Sequence, residues 1–156
     1  MQKITTYLWF VDQAEQAAEY YTSIFEDGRI VETNRFPGPE DTEVVLVTFE
    51  LAGQRFIALN GGRQGFGFNE SVSLYVDCDG QDEVDYYWSK LTEGGGEEGP
   101  CGWLKDRYGL SWQIIPKQLT EALTDPDPGA ANNAMQAMLA MRKIDIDGLR
   151  AAQPQA

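Results

Sequence analysis

The chain contains no histidine. That absence excludes Ser-His-Asp and Cys-His catalysis, and every metal site that depends on imidazole. Basic side chains are also scarce: 12 Lys and Arg stand against 25 Asp and Glu, a formal net charge of −13 over 156 residues. Nucleic acid is therefore not an expected partner, because phosphate contacts need clustered Lys and Arg. An anionic membrane surface is disfavoured for the same reason. The acidic balance suits a soluble cytoplasmic protein and permits a cationic ligand. The two cysteines, Cys78 and Cys101, form neither a disulfide framework nor a CxxC motif, which points to free thiols in a reducing compartment. No apolar run reaches transmembrane length, and residues 1–6 lead into no apolar segment with a small-residue cleavage site. The expectation is a cytoplasmic protein without a membrane partner.

What is present argues for a packed core. Hydrophobic residues make up 42% and aromatics 12%, too many for a disordered chain. Lys3–Val11 reads as a strand, rich in β-branched and aromatic residues. Asp12 and Glu15 have capping-box spacing, and Ala14, Ala17, Ala18, Tyr21, Ile24 and Phe25 recur at helical period until Gly28. Residues 29–35 are extended, 36–41 read as a loop, and Val44–Leu51 with Gln54–Leu59 form a hairpin about Ala52-Gly53. The glycine-rich segment 60–68 lacks the Lys-Ser/Thr of a P-loop and reads as a flexible bridge.

The pattern then starts again. Ser71–Cys78 is a strand, Gln81–Glu93 a helix with Val84, Tyr87, Trp88 and Leu91 on one face, and Cys101–Lys105 with Leu110–Ile115 a second hairpin. A shift of 66 residues lays Tyr20-Tyr21 on Tyr86-Tyr87, Leu8 on Leu74, Trp9 on Tyr75 and Gly28 on Gly94. The order is strand, helix, three strands, twice. A βαβββ unit leaves one sheet face to bury, so two such units should pair into a curved mixed sheet whose concave side is the pocket. The expected fold is α+β, a single domain over 1–156: repeat one 3–60, linker 61–69, repeat two 70–116, and a C-terminal helical extension 117–156. In the extension, Leu119–Leu123 is a short helix, Asp127 caps a helix with Pro128 in its first position, and Ala131, Ala134, Met135, Met138 and Leu139 form a stripe with Met141 beside it. The stripe packs either on the body or on a second subunit. Residues 151–156 read as frayed.

Candidate site residues follow from strand alternation. Gln113 shares a face with Ser111 and Ile115, opposite Trp112 and Ile114; it meets either a ligand or neighbouring backbone. Thr6 and Leu8 share a face with Phe10, opposite Trp9. Trp9, Trp103 and Trp112 could line an aromatic cage for a cation, or pack helix against sheet. Asn60, Ser71 and Tyr75 are polar groups able to orient a ligand, or edge residues. Cys101 has Lys105 and Arg107 close by, which favours a thiolate; without a histidine base, a small buried hydrophobe is the plainer role. Asp106 and Arg107 read as exposed turn residues.

Several stretches also look familiar. They are Leu8-Trp9-Phe10 leading into 13–18, Ser23-Ile24-Phe25, 53–62 (GQRFIALNGG) and above all 101–116 (CGWLKDRYGLSWQIIP). They resemble the PhnB-like family, named for 3-demethylubiquinone-9 3-methyltransferase, of the vicinal oxygen chelate superfamily. That superfamily includes glyoxalase I, extradiol dioxygenases and bleomycin-resistance proteins. The resemblance extends through the Asp-Pro-Asp-Pro helix and the Met-rich tail, and it implies paired βαβββ modules assembled as a homodimer. Metal-dependent relatives place His or Glu early in the first strand and near the last strand of each repeat. Thr6, Ser71 and Gln113 stand at three of those positions here. Ile57 or Ala58 stands at the fourth, with Asn60 the nearest polar group. None is a competent transition-metal ligand, so no metal and no cofactor are expected. Nor does Val11-Asp12-Gln13-Ala14 supply the glycine-rich turn usual after the first strand of an S-adenosylmethionine enzyme. The resemblance thus implies a small-molecule binder, with a cationic or amphipathic ligand. The alternatives are an enzyme (the named methyltransferase, or a metal-independent lyase or isomerase) and a dimeric scaffold without ligand.

Overall fold

The computed structural model describes residues 2–153. The chain runs β1 (Thr6–Phe10), α1 (Ala14–Ile24), β2 (Arg29–Pro37), β3 (Glu43–Leu51), β4 (Gln54–Asn60), β5 (Ser73–Cys78), α2 (Gln81–Thr92), β6 (Glu97–Glu98), β7 (Trp103–Lys105), β8 (Ser111–Pro116), α3 (Lys117–Leu123), α4 (Pro128–Leu139) and α5 (Ile146–Ala152). Packing divides it between Gly67 and Phe68 into two units, each holding one βαβββ module. The strands form two four-stranded mixed sheets, ordered β1-β4-β3-β2 and β5-β8-β7-β6. In each sheet the module's first and last strands pair in parallel and the other pairs are antiparallel. This is the α+β fold expected from the repeat, with helices at the C-terminal end.

In the first module, alternation sends Leu8, Phe10, Val45, Val47, Phe49, Leu51, Phe56 and Ala58 under α1. They meet Ala14, Ala17, Ala18, Tyr21 and Ile24, all buried. Tyr21 stacks on Phe49 at 6.1 Å, and Phe49 on Phe56 at 5.4 Å. Each large side chain so buried contributes about 1.5–3 kcal/mol, which fixes the strand register against a one-residue slip. The β3–β4 turn is Ala52-Gly53 with φ of 50° and 78°, the left-handed pair that a two-residue hairpin needs.

Two local expectations change. No capping box forms at α1: its N-cap is Gln13, without a side-chain bond. Instead Asn60 Oδ1 accepts from Ala14 N at 2.7 Å. Because β1 and β4 run parallel with Phe10 opposite Asn60, the end of β4 lies beside the start of α1 and supplies the acceptor. And β2 continues through Phe36 and Pro37, expected in a loop, by pairing with Val44 and Glu43; β2 is an edge strand, where proline's missing N–H costs no ladder bond.

In the second module, Cys78, Leu104, Trp112 and Ile114 are buried with Val84, Trp88 and Leu91 of α2. Tyr87 is half-buried. Asp106, expected at an exposed hairpin tip, is only 2% accessible. Its carboxylate accepts from Tyr108 N at 2.8 Å, Leu110 N at 3.2 Å and Trp112 Nε1 at 2.9 Å. The tight connection from β7 to β8, with Gly109 at φ 88°, leaves these donors turned inward, and a buried carboxylate needs such donors to offset its desolvation.

The extension packs on the second module. Ile115, Leu119, Ile144 and Leu149 form a core, flanked by Leu123, Ala137, Met138 and Met141. Cys101 N and Gly102 N donate to Met141 O and Arg142 O at 2.9 and 2.8 Å. Gln81 clasps the segment from both sides: Nε2 donates to Ile144 O at 3.0 Å, and Oε1 accepts from Ile146 N at 2.8 Å. Met138 and Met141 therefore pack within the chain, whereas Met135 and Leu139 are exposed. Residues 151 and 152 belong to α5 rather than to a frayed end; 154–156 lie outside the described residues. Among the described residues no helix is long and apolar enough to cross a membrane.

Two substitutions test these anchors by urea unfolding. Asn60→Ala should cost about 1 kcal/mol and Asp12→Ala less than about 0.5; equal costs would place the cap on Asp12 after all. Asp106→Ala, which strands several inward donors, should cost about 3 kcal/mol or more, and an exposed-turn role for Asp106 would make it near neutral.

Candidate functional site

Each sheet has one face covered by its own module's helix, α1 or α2, and an opposite, helix-free face that this helix does not touch. On the second sheet, pairing aligns Tyr75, Gln113 and Trp103 across β5, β8 and β7. Ser73, Ser111, Lys105 and Glu97 form the next row. Alternation puts both rows opposite Trp112 and Ile114, which lie under α2, and so on the helix-free face. Ile115 shares that face, but Leu119, Ile144 and Leu149 of the extension cover it. What stays open is the Tyr75–Gln113–Trp103 row. Tyr75 is 53% accessible, and Gln113 and Trp103 are half-buried.

Gln113 is held rather than loose. Its Nε2 donates to Ser73 Oγ at 3.0 Å, which leaves Oε1 as an acceptor at the centre of the row. At the Trp103 side lies a cavity of about 210 Å³ lined by Glu70, Glu97, Glu98, Trp103, Leu104, Lys105 and Ser111, among others. Lys105 pairs with Glu70, which holds the ammonium above its ordinary range and the Glu70 carboxyl below its own. Glu98 turns toward the helix and accepts from Trp88 Nε1 at 2.6 Å.

The other sequence candidates fall elsewhere. Leu8 is in the core beneath α1, and Thr6 shares its parity, so neither belongs to the helix-free face of β1; Tyr7 and Trp9 do. The apolar pair Leu8 and Phe10 decides this, because it must be covered by the helix. Asn60 caps α1. Ser71 lies before β5, in a turn where Asn69 Oδ1 accepts from its N at 2.9 Å and its Oγ at 2.6 Å; the strand begins at Ser73. Trp112 is buried under α2, on the face opposite Trp103, and its indole is bound to Asp106, so the cage of Trp9, Trp103 and Trp112 does not assemble. Trp9 is fastened by the start of the glycine-rich segment. Its Nε1 donates to Gly62 O at 3.0 Å, Phe66 meets it edge-on at 5.3 Å, and a Cβ at Gly61 would lie 2.4 Å from its ring. That end of the segment is docked, not a free bridge: Gly61 N and Gly62 N donate to Phe10 O and Val11 O. Cys101 is half-buried in a turn at φ 59°.

Ser73 and Glu97 are not among the candidates that the sequence offers, and Lys105 enters there only as a neighbour of Cys101. Period-two counting back from Tyr75 would have found Ser73, but the two-residue strand β6 that carries Glu97 gives no sequence signal.

The donor set does not fit a transition metal. Register places Leu59 opposite Trp9 as it places Gln113 opposite Tyr75, so the fourth position is Leu59 rather than Ile57 or Ala58. Thr6, Leu59, Ser71 and Gln113 offer no imidazole or carboxylate, and no group of three or more His, Cys, Asp or Glu among the described residues could hold a metal ion. S-adenosylmethionine is no better served. The first strand leads into α1 without a glycine turn, and the first N–H of that helix is taken by Asn60.

Residues 2–115 match the model of a family described as 3-demethylubiquinone-9 3-methyltransferase. The chain belongs to that family. A PhnB protein from Bacillus cereus is similar at 36% identity over 74% of this chain and 99% of that one, with a TM-score of 0.66. Protein PA1353 from Pseudomonas aeruginosa shares the fold at 17% identity, 74% and 98% coverage and TM-score 0.63. So does a glyoxalase family protein from Bacillus cereus, at 10% identity, 74% and 93% coverage and TM-score 0.56. A search of curated proteins finds no match. The chain is thus PhnB-like, with a fold that it shares with a glyoxalase family protein. The family match ends at residue 115, so the resemblance expected through the Asp-Pro-Asp-Pro helix and the tail is not part of it.

The thiols give a direct check on this placement. Burial, reinforced by Glu83, Asp77 and Asp79, pushes the Cys78 thiol up to about 12. Native protein at pH 8 should therefore release one equivalent of thionitrobenzoate from Ellman's reagent promptly, from Cys101, and the second only on unfolding. Prompt release of two would contradict the buried position of Cys78.

Proposed function

We propose that this PhnB-like chain binds a small cationic or amphipathic molecule on the helix-free face of its second module, without a His/Glu metal site. The observation that carries the reading is the cross-strand row in which Gln113, fixed by Ser73, stands between Tyr75 and Trp103. Two aromatic side chains supply apolar area at low entropic cost, and one oriented amide supplies direction. The reading includes a homodimer acting in the cytoplasm, where Cys78 and Cys101 stay as free thiols. The family's description names a methyltransferase; the poor fit for S-adenosylmethionine is why binding is preferred to methyl transfer. A scaffold acting through exposed Met135 and Leu139 would leave the Gln113 row without a purpose.

A simple amphipath tests it. 4-tert-Butylphenol has an apolar body and a hydroxyl that can donate to Gln113 Oε1. In an NMR titration it should shift resonances of β5, β7 and β8 saturably. Gln113→Ala should weaken it about tenfold with little change in melting temperature. A non-saturating response, or equal binding by the variant, would contradict the reading.

A further inference from the structure

The cavity beside Trp103 adds a charged end to this apolar row. Of the carboxylates around it, Glu70 is engaged by Lys105 and Glu98 by the Trp88 indole. Glu97 makes no hydrogen bond or salt bridge among the described residues; it stands in register with Lys105 at the cavity's rim and interacts with that ammonium only through its charge. Trp103 walls the same space with an aromatic surface. On one flank of the row the extension closes the face over Ile115, and the row of Ser111, Lys105 and Glu97 lies on the opposite flank. An anionic head is disfavoured there: Lys105 is already paired with Glu70 and also feels the Glu97 carboxylate.

We infer that the cavity lined by Glu97 and Trp103 seats the head of an organic ammonium whose apolar body lies along Tyr75, Gln113 and Trp103. The inference rests on the binding reading above. A quaternary or protonated amine is attracted both by the Trp103 indole and by the Glu97 carboxylate, whose pull on Lys105 is shared with the Glu70 salt bridge.

The experiment compares two isosteres, (4-hydroxyphenyl)trimethylammonium and 4-tert-butylphenol, by NMR titration at low salt. Wild type should bind the cation about five- to tenfold more tightly than the neutral probe. Glu97→Gln, at an exposed position, should reduce that preference to less than about twofold and leave the neutral affinity and the melting temperature unchanged. Raising the salt to about 0.5 M should shrink the wild-type preference in the same direction. If the neutral probe binds but the cation gains nothing, or if the preference survives Glu97→Gln, the inference is overturned and the binding reading stands. If neither probe binds, both fall.

Discussion

The buried carboxylate of Asp106 is the constraint on which the second module depends. It gathers the Tyr108 and Leu110 amides and the Trp112 indole into one place. Those donors come from the turn, from the residue before β8, and from β8 itself. Their convergence sets where the last strand begins and which way its first side chains point. Once Trp112 is drawn down to Asp106, alternation sends Ile114 under α2 and Ser111, Gln113 and Ile115 to the opposite face. The position of Gln113 is therefore a consequence of the hydrogen-bonded turn that leads into β8.

The same strand explains the extension. Ile115 is the residue of β8 that a bare βαβββ module would leave uncovered on its helix-free face. Leu119, Ile144 and Leu149 cover it, and Gln81, at the start of α2, ties the covering segment to the helix on the other side of the sheet. The family match stops at residue 115, so this wall lies outside the part of the chain that the family model covers. The addition leaves open only the part of the face that carries Tyr75, Gln113 and Trp103.

The repeat, its strand-helix order and the helical faces were legible in the sequence because each rests on a periodic pattern that burial enforces. Gln113 was legible for the same reason. What was not legible came from contacts distant in sequence or from single polar groups. Asp12 and Glu15 had the spacing of a cap, yet Asn60, 46 residues away, takes the helix N–H. Thr6 and Leu8 were grouped correctly by alternation, but alternation alone does not say which face the helix will cover. Asp106 read as a surface turn residue because composition cannot reveal that three donors will close around it. Ser71 was placed in a strand that starts two residues later, after an Asn69 turn.

The central claim is that Asp106 anchors the last hairpin and, through it, the open face. Native-state hydrogen exchange tests it most directly, by following the Trp112 indole N–H and the Leu110 amide. Both should exchange only with global unfolding, at the same free energy as the amides of Ile114 and Leu104. Exchange of the Trp112 indole and Leu110 amide through a local opening, while Ile114 and Leu104 stay protected, would show that the strand holds its place without Asp106 and would contradict the account.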